Sequence, residues 1–241
     1  MNVNPSRRNF LQLAGAAVAI PVLLPDRPHL VLLGDSVFDN GAYTRGAPDV
    51  AARLRETVGP DVRISLLAVD GAVLADLRAQ LARLPADATH LILSAGSNDA
   101  LRQQRLLKAP AGSVGAALDL LAQAVSEFEA NYRNTVLACL SRRLPLTVCT
   151  IHNGNFTDLA QRRRLRTALA LFDDAILRIA TERHLCAIDL RLLLNQPGDH
   201  ANQIEPSSAG AAKIARAIIE AVSVGKPEHG AVLFGAPAAL V

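Results

Sequence analysis

Aromatic side chains are scarce in this chain of 241 residues: they make up 3% of the sequence, and tryptophan is missing altogether. Aromatic platforms on which nucleic-acid bases stack are therefore poorly supplied. The net charge is only +3, with charged residues at 20%, so the composition indicates no strong attraction to phosphate polymers. We accordingly expect no nucleic-acid partner.

Cysteines and cofactor-binding motifs are equally sparse. The three cysteines, Cys139, Cys149 and Cys186, are odd in number, widely spaced and contain no CxxC pair. That pattern excludes a disulfide framework and a zinc site built from thiolates. No Gly-x-Gly-x-x-Gly or Walker-type loop follows the first predicted strand, which argues against a nucleotide-binding domain. The sequence therefore implies no cofactor and no metal.

The apolar run near the N-terminus is short. It extends from Phe10 to Leu24, spans 15 residues and contains Pro21. Because a bilayer span needs roughly 20 residues, we expect no permanent membrane anchor. Arg7 and Arg8 precede the run, and the layout resembles a twin-arginine export signal. We expect residues 1–28 to be such a signal and the protein to be periplasmic or secreted; the alternative is a docked helix on a cytoplasmic protein.

Half of the residues are apolar, which is ample material for the core of one α/β domain. Short apolar runs alternate with longer stretches in which apolar residues recur every three or four positions. The short runs are typical of strands buried on both faces of a parallel sheet. They cover residues 29–34, 62–69, 90–95, 146–151 and 185–189, and the helical stretches cover residues 49–58, 72–84, 114–141, 158–183 and 208–222.

This repeated pattern predicts an α/β fold of the doubly wound, flavodoxin-like type. Five parallel strands carry helices on both faces, which gives three α/β/α layers. The predicted domain runs from residue 29 to residue 222. Residues 223–241 show no clear periodicity and are predicted to form a C-terminal tail.

Three of the predicted strands end in polar motifs. The first ends in Gly34-Asp35-Ser36, the second in Asp70-Gly71 and the third in Gly96-Ser97-Asn98-Asp99. Each motif alone is ordinary turn chemistry. Because the carboxyl ends of parallel strands meet at one edge of a sheet, the three together bring a serine hydroxyl, a glycine N–H and an asparagine amide near one another. These are a nucleophile and oxyanion donors, the parts of an acyl-transfer site.

With these motifs in this order, the chain resembles the SGNH (GDSL-like) hydrolase family from His29 to about Val222. The resemblance implies that Ser36 is the nucleophile. It also implies that the oxyanion would be bound by the N–H of Ser36, the N–H of Gly71 and the side chain of Asn98. The implied activity is that of an esterase acting on a small-molecule substrate, a small acyl ester or an acetylated carbohydrate.

The last motif departs from the family pattern. The family has Asp-x-x-His-Pro before the final helix, whereas this chain has Asn202 in the place of the acid and Glu205 in the place of the base, directly before Pro206. Burial beside the serine would make a carboxylate there a stronger base. The alternative is that Glu205 only stabilises the N-terminus of the following helix. His152 and His200 also lie at the correct end of the sheet and are the other candidate bases.

The departure leaves two functions open. The first is an esterase in which Glu205, or otherwise His200, takes the serine proton. The second is a ligand-binding protein that keeps the crevice but has lost the base. A binding protein does not need Ser36, Gly71 and Asn98 together, whereas an acyl-transfer enzyme does, so the intact trio favours the enzyme.

Overall fold

The computed structural model describes residues 28–235, and residues 1–27 of the predicted export signal lie outside this range. Its centre is one sheet of six parallel strands in the order β2-β1-β3-β4-β5-β6. The strands are β1 His29–Gly34, β2 Arg63–Leu66, β3 His90–Ser94, β4 Leu146–Cys149, β5 Cys186–Ile188 and β6 Val232–Phe234. β1 and β3 are entirely buried, as their unbroken apolar sequences predict.

Within the described residues, the strands are connected by seven α-helices: α1 Val50–Val58, α2 Leu77–Ala82, α3 Ser97–Arg102, α4 Val114–Leu140, α5 Leu159–Arg183, α6 Leu190–Leu193 and α7 Ser208–Val224. One core cluster packs α2, α4 and α5 against one face of the sheet, around Phe128, Tyr132 and Phe172. A second cluster packs α1 and α7 against the other face, around Leu54 and Ile214. The predicted three-layer, doubly wound fold is confirmed. Within the described residues, no helix is long and apolar enough to cross a membrane.

The predicted count of five strands is wrong by one. β6 (Val232–Phe234) lies within the segment predicted as a tail and pairs in parallel with β5 at the edge of the sheet. It escaped the sequence analysis because an edge strand is only half buried, so its sequence lacks the continuous apolar run that marked the buried strands. Its last carbonyl, that of Phe234, accepts a hydrogen bond of 2.7 Å from the N–H of Asp189.

The strand order reverses between β1 and β3, because β2 lies on one side of β1 and all later strands lie on the other. Ligands of doubly wound sheets bind at such a reversal, outside the carboxyl ends of the strands. Gly34 ends β1 at φ +131, and a Cβ there would lie 1.7 Å from the carbonyl oxygen of Ser94 on β3. Only glycine therefore fits at the point where β1 turns into the site.

Candidate active site

Ser36 lies in a tight turn that directly follows β1. The N–H of Asp35 donates to the carbonyl of Ser94 at 3.1 Å, and the Asp35 carbonyl in turn accepts from the N–H groups of Phe38 and Asp39. Ser36 is 7% exposed and lines a cavity at the strand-order reversal. The hydroxyl is thus held at the end of the strand, on a turn that the backbone itself stabilises.

The carboxylate of Asp35 links the loops after β1 and β3. It is fully buried, accepts from the N–H of Val37 at 3.1 Å and receives the hydroxyl hydrogen bond of Ser97. Burial raises the pKa of Asp35 to about 6, although the bonds from Ser97 and Val37 oppose that shift. The carboxylate of Asp99 links α3 to the segment after β2, because it accepts a hydrogen bond from the N–H of Leu74 at 3.0 Å. Both aspartates shape the crevice.

Asn98 shares the cavity with Ser36. It is the second residue of α3, so the segment read from sequence as a turn is the first turn of a short helix. Its Nδ2 donates to the carbonyl of Ala72 at 2.9 Å, which leaves one amide hydrogen for another acceptor. Gly71, next to Ala72, lies at φ +77 in an exposed turn and lines a different surface cavity. The structure therefore brings Ser36 and Asn98 to one cavity and places Gly71 beside it.

The rest of this cavity, named here the site cavity, is largely apolar. Its apolar wall comes from the segment after α3, from α4 and α5, and from the loop after β4; six of its members are Leu107, Leu121, Phe156, Leu165, Leu169 and Phe172. Its polar residues include Ser36, Asn98, His152 and Glu205. An apolar wall with a few convergent polar groups is the usual composition of a small-molecule site.

Glu205 lies in the wall of the site cavity and is partly exposed. Its loop is shaped by Asn202, whose Oδ1 accepts from the N–H of Ile204 at 2.7 Å and from the N–H of Glu205 at 2.9 Å. The residue in the place of the family's acid therefore forms a backbone turn of the Asx type. This turn fixes where the Glu205 backbone lies.

Asn40 ties that loop to the segment after Ser36. It is fully buried, its Nδ2 donates to the carbonyl of Pro206 at 2.9 Å, and its Oδ1 accepts from the N–H of Val50 at 3.0 Å. This role was not predictable from the sequence, because Pro206 is 166 residues away along the chain. Asn40 therefore connects the loop of Glu205 to the segment after Ser36 and to the start of α1.

His152 and His200 lie against each other, with ring centroids 5.4 Å apart. His152 is 4% exposed and lines the site cavity, and burial, followed by the neighbouring His200, lowers its pKa to about 3. His200 is not part of the cavity wall. Its Nδ1 lies 3.3 Å from the carbonyl of Gln196, and its buried Nε2 has no hydrogen-bond partner among residues 28–235. Burial lowers the pKa of His200.

The described part of the chain brings together no group of three or more His, Cys, Asp or Glu side chains that could hold a metal ion. The three cysteines are buried and unpaired. Burial raises the pKa of the Cys139 thiol to about 12, so this group is a poor nucleophile.

Two features define the class of this protein: the doubly wound parallel sheet, and the serine and asparagine at its strand-order reversal. They are the features of the SGNH-type α/β hydrolases. The chain belongs to the GDSL-like lipase/acylhydrolase family, whose model matches residues 32–213. No curated protein sequence matches the chain.

Solved structures share the fold at low sequence identity. An extracellular lipase from Streptomyces rimosus superposes with a TM-score of 0.61 at 16% identity, covering 80% of this chain and 99% of its own. A phospholipase A1 from Streptomyces albidoflavus NA297 has a TM-score of 0.60 at 16% identity, with 81% and 99% covered. A catalytic mutant of the acetylxylan esterase Axe2 from Geobacillus stearothermophilus has a TM-score of 0.58 at 19% identity, with 83% and 95% covered.

Proposed function

We propose that this protein is a serine esterase that hydrolyses small acyl esters. The observation that carries the proposal is the placement of Ser36 and Asn98 in the wall of one largely apolar cavity at the strand-order reversal. A nucleophile and an oxyanion donor beside an apolar wall are the requirements for attack on an ester carbonyl.

In the proposed reaction, the Ser36 oxygen attacks the ester carbonyl carbon while its proton passes to the Glu205 carboxylate. The oxyanion of the tetrahedral intermediate accepts hydrogen bonds from the Ser36 N–H and the free amide hydrogen of Asn98. Collapse of the intermediate breaks the bond to the alkoxide, which takes the proton from Glu205 and leaves as the alcohol. Water then hydrolyses the acyl-enzyme by the same route. The donor role of Gly71 stays a prediction.

Glu205 is proposed as the base in preference to His200, because Glu205 shares the cavity wall with Ser36 and His200 does not. The oxygens of a carboxylate side chain can accept the hydroxyl proton of a serine. The alternative role of Glu205, stabilising the helix N-terminus, is already filled by Ser207. Its Oγ accepts from the N–H groups of Ala209 and Gly210 at the start of α7.

The cavity wall also bears on the substrate class. Leu121, Leu165 and Leu169 offer an acyl chain apolar contacts and offer a sugar hydroxyl no partner. We therefore place the acyl group in the site cavity. Among small acyl esters, we expect the protein to favour acyl chains of several carbons over acetyl groups. The carbohydrate part of an acetylated sugar would have to lie outside the cavity.

The test is hydrolysis of p-nitrophenyl esters from acetate to decanoate by the purified protein. We expect turnover that rises from acetate to chains of several carbons, because each buried methylene contributes about 0.8 kcal/mol. Ser36→Ala should abolish it, whereas Ser223→Ala, at an exposed helix position, should not change it. Turnover that survives Ser36→Ala, or that falls steadily from acetate, would count against the proposal.

The base is tested by Glu205→Gln, which keeps the size and polarity of the side chain but cannot take a proton. We expect kcat to fall by at least ~100-fold, the magnitude typical of general-base catalysis. Glu228→Gln, on an exposed loop, is the matched control. A near wild-type Glu205→Gln together with an inactive His200→Ala would assign the base to His200.

One observation favours a second candidate function. Asn202 is used for a backbone turn, so the family's acid that orients a base has no counterpart there. A protein with that loss would bind an apolar ligand in the site cavity without turning it over. Binding of p-nitrophenyl octanoate with no release of nitrophenol would identify this case.

A further inference from the structure

His152 is a buried polar side chain that the proposed reaction does not use. It lies directly after Ile151 in the loop that follows β4, at the carboxyl edge of the sheet. Its ring lines the same cavity as Ser36 and Glu205 although the residue is only 4% exposed. A buried imidazole next to a proposed reaction centre has to hold its proton on one particular nitrogen.

The hydrogen bonds of the loop decide which nitrogen that is. The N–H of Gly154 donates to Nδ1 of His152 at 3.2 Å. A backbone N–H can only donate, so Nδ1 carries a lone pair, and the proton of the neutral ring is on Nε2. Burial lowers the pKa of His152 to about 3, which keeps the ring neutral at ordinary pH. The titratable groups beside it are His200, which lowers this pKa further, and Glu205 of the cavity wall.

The loop that sets this tautomer is itself held in place. Gly154 lies at φ +68, and a Cβ there would come within 2.7 Å of the carbonyl oxygen of Gln203. The same carbonyl accepts from the N–H of Asn155 at 2.8 Å. The loop of His152 therefore packs directly on the loop that carries Glu205, and the imidazole has little freedom to turn.

We propose that His152 is a fixed, neutral hydrogen-bond donor whose Nε2–H faces the site cavity and bonds to an oxygen of the bound ester. The Nδ1 edge of the ring is occupied by Gly154, so the opposite edge is the one left for a ligand. This assignment rests on the proposed function, because it takes the ester as the ligand. It separates the roles of two residues: Glu205 accepts a proton, and His152 orients the substrate.

The tautomer and the contact can be read without any turnover. In the Ser36→Ala protein, nitrogen-15 NMR of the imidazole rings should show His152 protonated on Nε2 from about pH 5 to about pH 8. Addition of nonan-2-one, a ketone that has the ester's carbonyl but cannot be hydrolysed, should shift the Nε2 signal. A proton on Nδ1, or a titration of His152 within that range, would overturn the proposal.

Kinetics of three substitutions provide the second test. His152→Phe keeps a ring but removes the donor, and should lower kcat/KM for p-nitrophenyl octanoate by about tenfold, the loss expected for one hydrogen bond. His152→Gln puts an amide N–H near the place of Nε2 and should recover most of the loss. His152→Asn puts it near Nδ1 and should not. His229→Phe, at an exposed position, is the matched control.

These measurements separate failure of this proposal from failure of the proposed function. If nonan-2-one shifts signals of Phe172 in the cavity wall but leaves His152 Nε2 unmoved, the cavity binds acyl groups and the donor role is wrong. The same conclusion follows if His152→Phe removes the acidic limb of the pH profile, because His152 would then be the titrating base. If no cavity signal moves and no ester is hydrolysed, the proposed function fails as well.

Discussion

At the scale of the residue, the buried polar side chains around the site differ in how completely they are hydrogen-bonded. Asp35 and Asn40, which flank the nucleophile in the chain, form hydrogen bonds with backbone groups of the surrounding loops. Asp173 on α5 is less well paired. Its Oδ1 accepts from the N–H of Ile151 at 2.7 Å, but its buried Oδ2 makes no hydrogen bond within the described part of the chain and lies 3.6 Å from the Arg191 guanidinium. Burial raises the pKa of Asp173 from its ordinary value of 3.8 to about 7.

Asp173 should therefore make the stability of the protein depend on pH. Between about pH 4 and about pH 7, the carboxyl is protonated in the folded chain and ionised in the unfolded chain, so unfolding releases a proton. The free energy of unfolding should fall as pH rises through this range, by up to ~1.4 kcal/mol per pH unit relative to Asp173→Asn. Urea unfolding of both proteins at several pH values measures this difference, and Asp35 contributes equally to both.

The neighbouring Asp174→Asn is the control for that experiment, because Asp174 is exposed and pairs with Arg178 at the surface. Its unfolding free energy should run parallel to that of the wild type. Parallel curves for Asp173→Asn as well would show that the Asp173 carboxyl is not the buried acid described here.

Asn98 has a catalytic prediction of its own. Asn98→Ala should lower kcat by ~100- to ~1000-fold with little change in KM, since an oxyanion donor acts in the transition state. It also removes the hydrogen bond to the Ala72 carbonyl, which should lower the free energy of unfolding by about 1 kcal/mol. Gln123→Ala, which removes an exposed amide on α4 outside the site cavity, should leave kcat unchanged. An intact kcat in Asn98→Ala would eliminate the donor role.

At the scale of the element, the site depends on contacts between loops rather than on any one strand. The loop after β1 contacts the loop before α7 through Asn40, and the loop after β4 contacts it through Gly154 and Asn155. Gly210 at the start of α7 also allows close packing, since a Cβ there would lie 2.2 Å from the carbonyl oxygen of Asp199. Glu205 is therefore held from several sides.

Asn40→Ala tests this arrangement. It leaves the Pro206 carbonyl and the Val50 N–H without partners in a buried position, so the free energy of unfolding should fall by ~2 to ~4 kcal/mol. kcat/KM should fall too, because the loop of Glu205 loses its hydrogen bond to the segment after Ser36. Denaturant unfolding and ester hydrolysis are the two measurements. Asn131→Ala on an exposed turn of α4 should change neither, and equal behaviour of the two variants would refute the role of Asn40.

The sequence predicted those parts of the fold that repeat over many residues. The fully apolar runs of β1 and β3 and the long periods of α4 and α5 identified the buried strands and the covering helices. The sequence could not predict β6, which is a half-buried edge strand, or α3, whose six residues begin with a motif equally typical of a turn.

The site was predictable only in part, for a related reason. Ser36 and Asn98 follow strands, so topology alone brings them to one edge of the sheet. The position of Gly71 beside the site cavity, the burial of His152 and the role of Asn40 depend on how loops pack across the molecule. Contacts between residues far apart in the chain leave no local pattern.

At the scale of the whole molecule, the two apolar cores on opposite faces of the sheet leave the carboxyl edge free to hold a ligand site.

We also propose that the protein is exported through the twin-arginine pathway. Arg7→Lys together with Arg8→Lys should leave the full-length precursor in the cytoplasm, whereas the wild type should appear shortened in the periplasm or medium. Cell fractionation with mass determination measures this outcome.

The control for export is the pair Arg162→Lys and Arg163→Lys, which changes the same residue types on α5 and should leave localisation unaltered. A wild-type protein that stays at full length in the cytoplasm would refute the export proposal. It would leave the assignment of the site untouched, because residues 1–27 lie outside the described fold.

Covalent labelling of the nucleophile tests the central claim most directly. An alkyl fluorophosphonate should react with the purified protein, and peptide mass spectrometry should place one adduct on Ser36. The adduct and the ester hydrolysis should both be lost in Ser36→Ala and kept in Ser223→Ala. An adduct on another residue, or hydrolysis that persists in Ser36→Ala, would contradict the account of this protein as a serine esterase acting through Ser36.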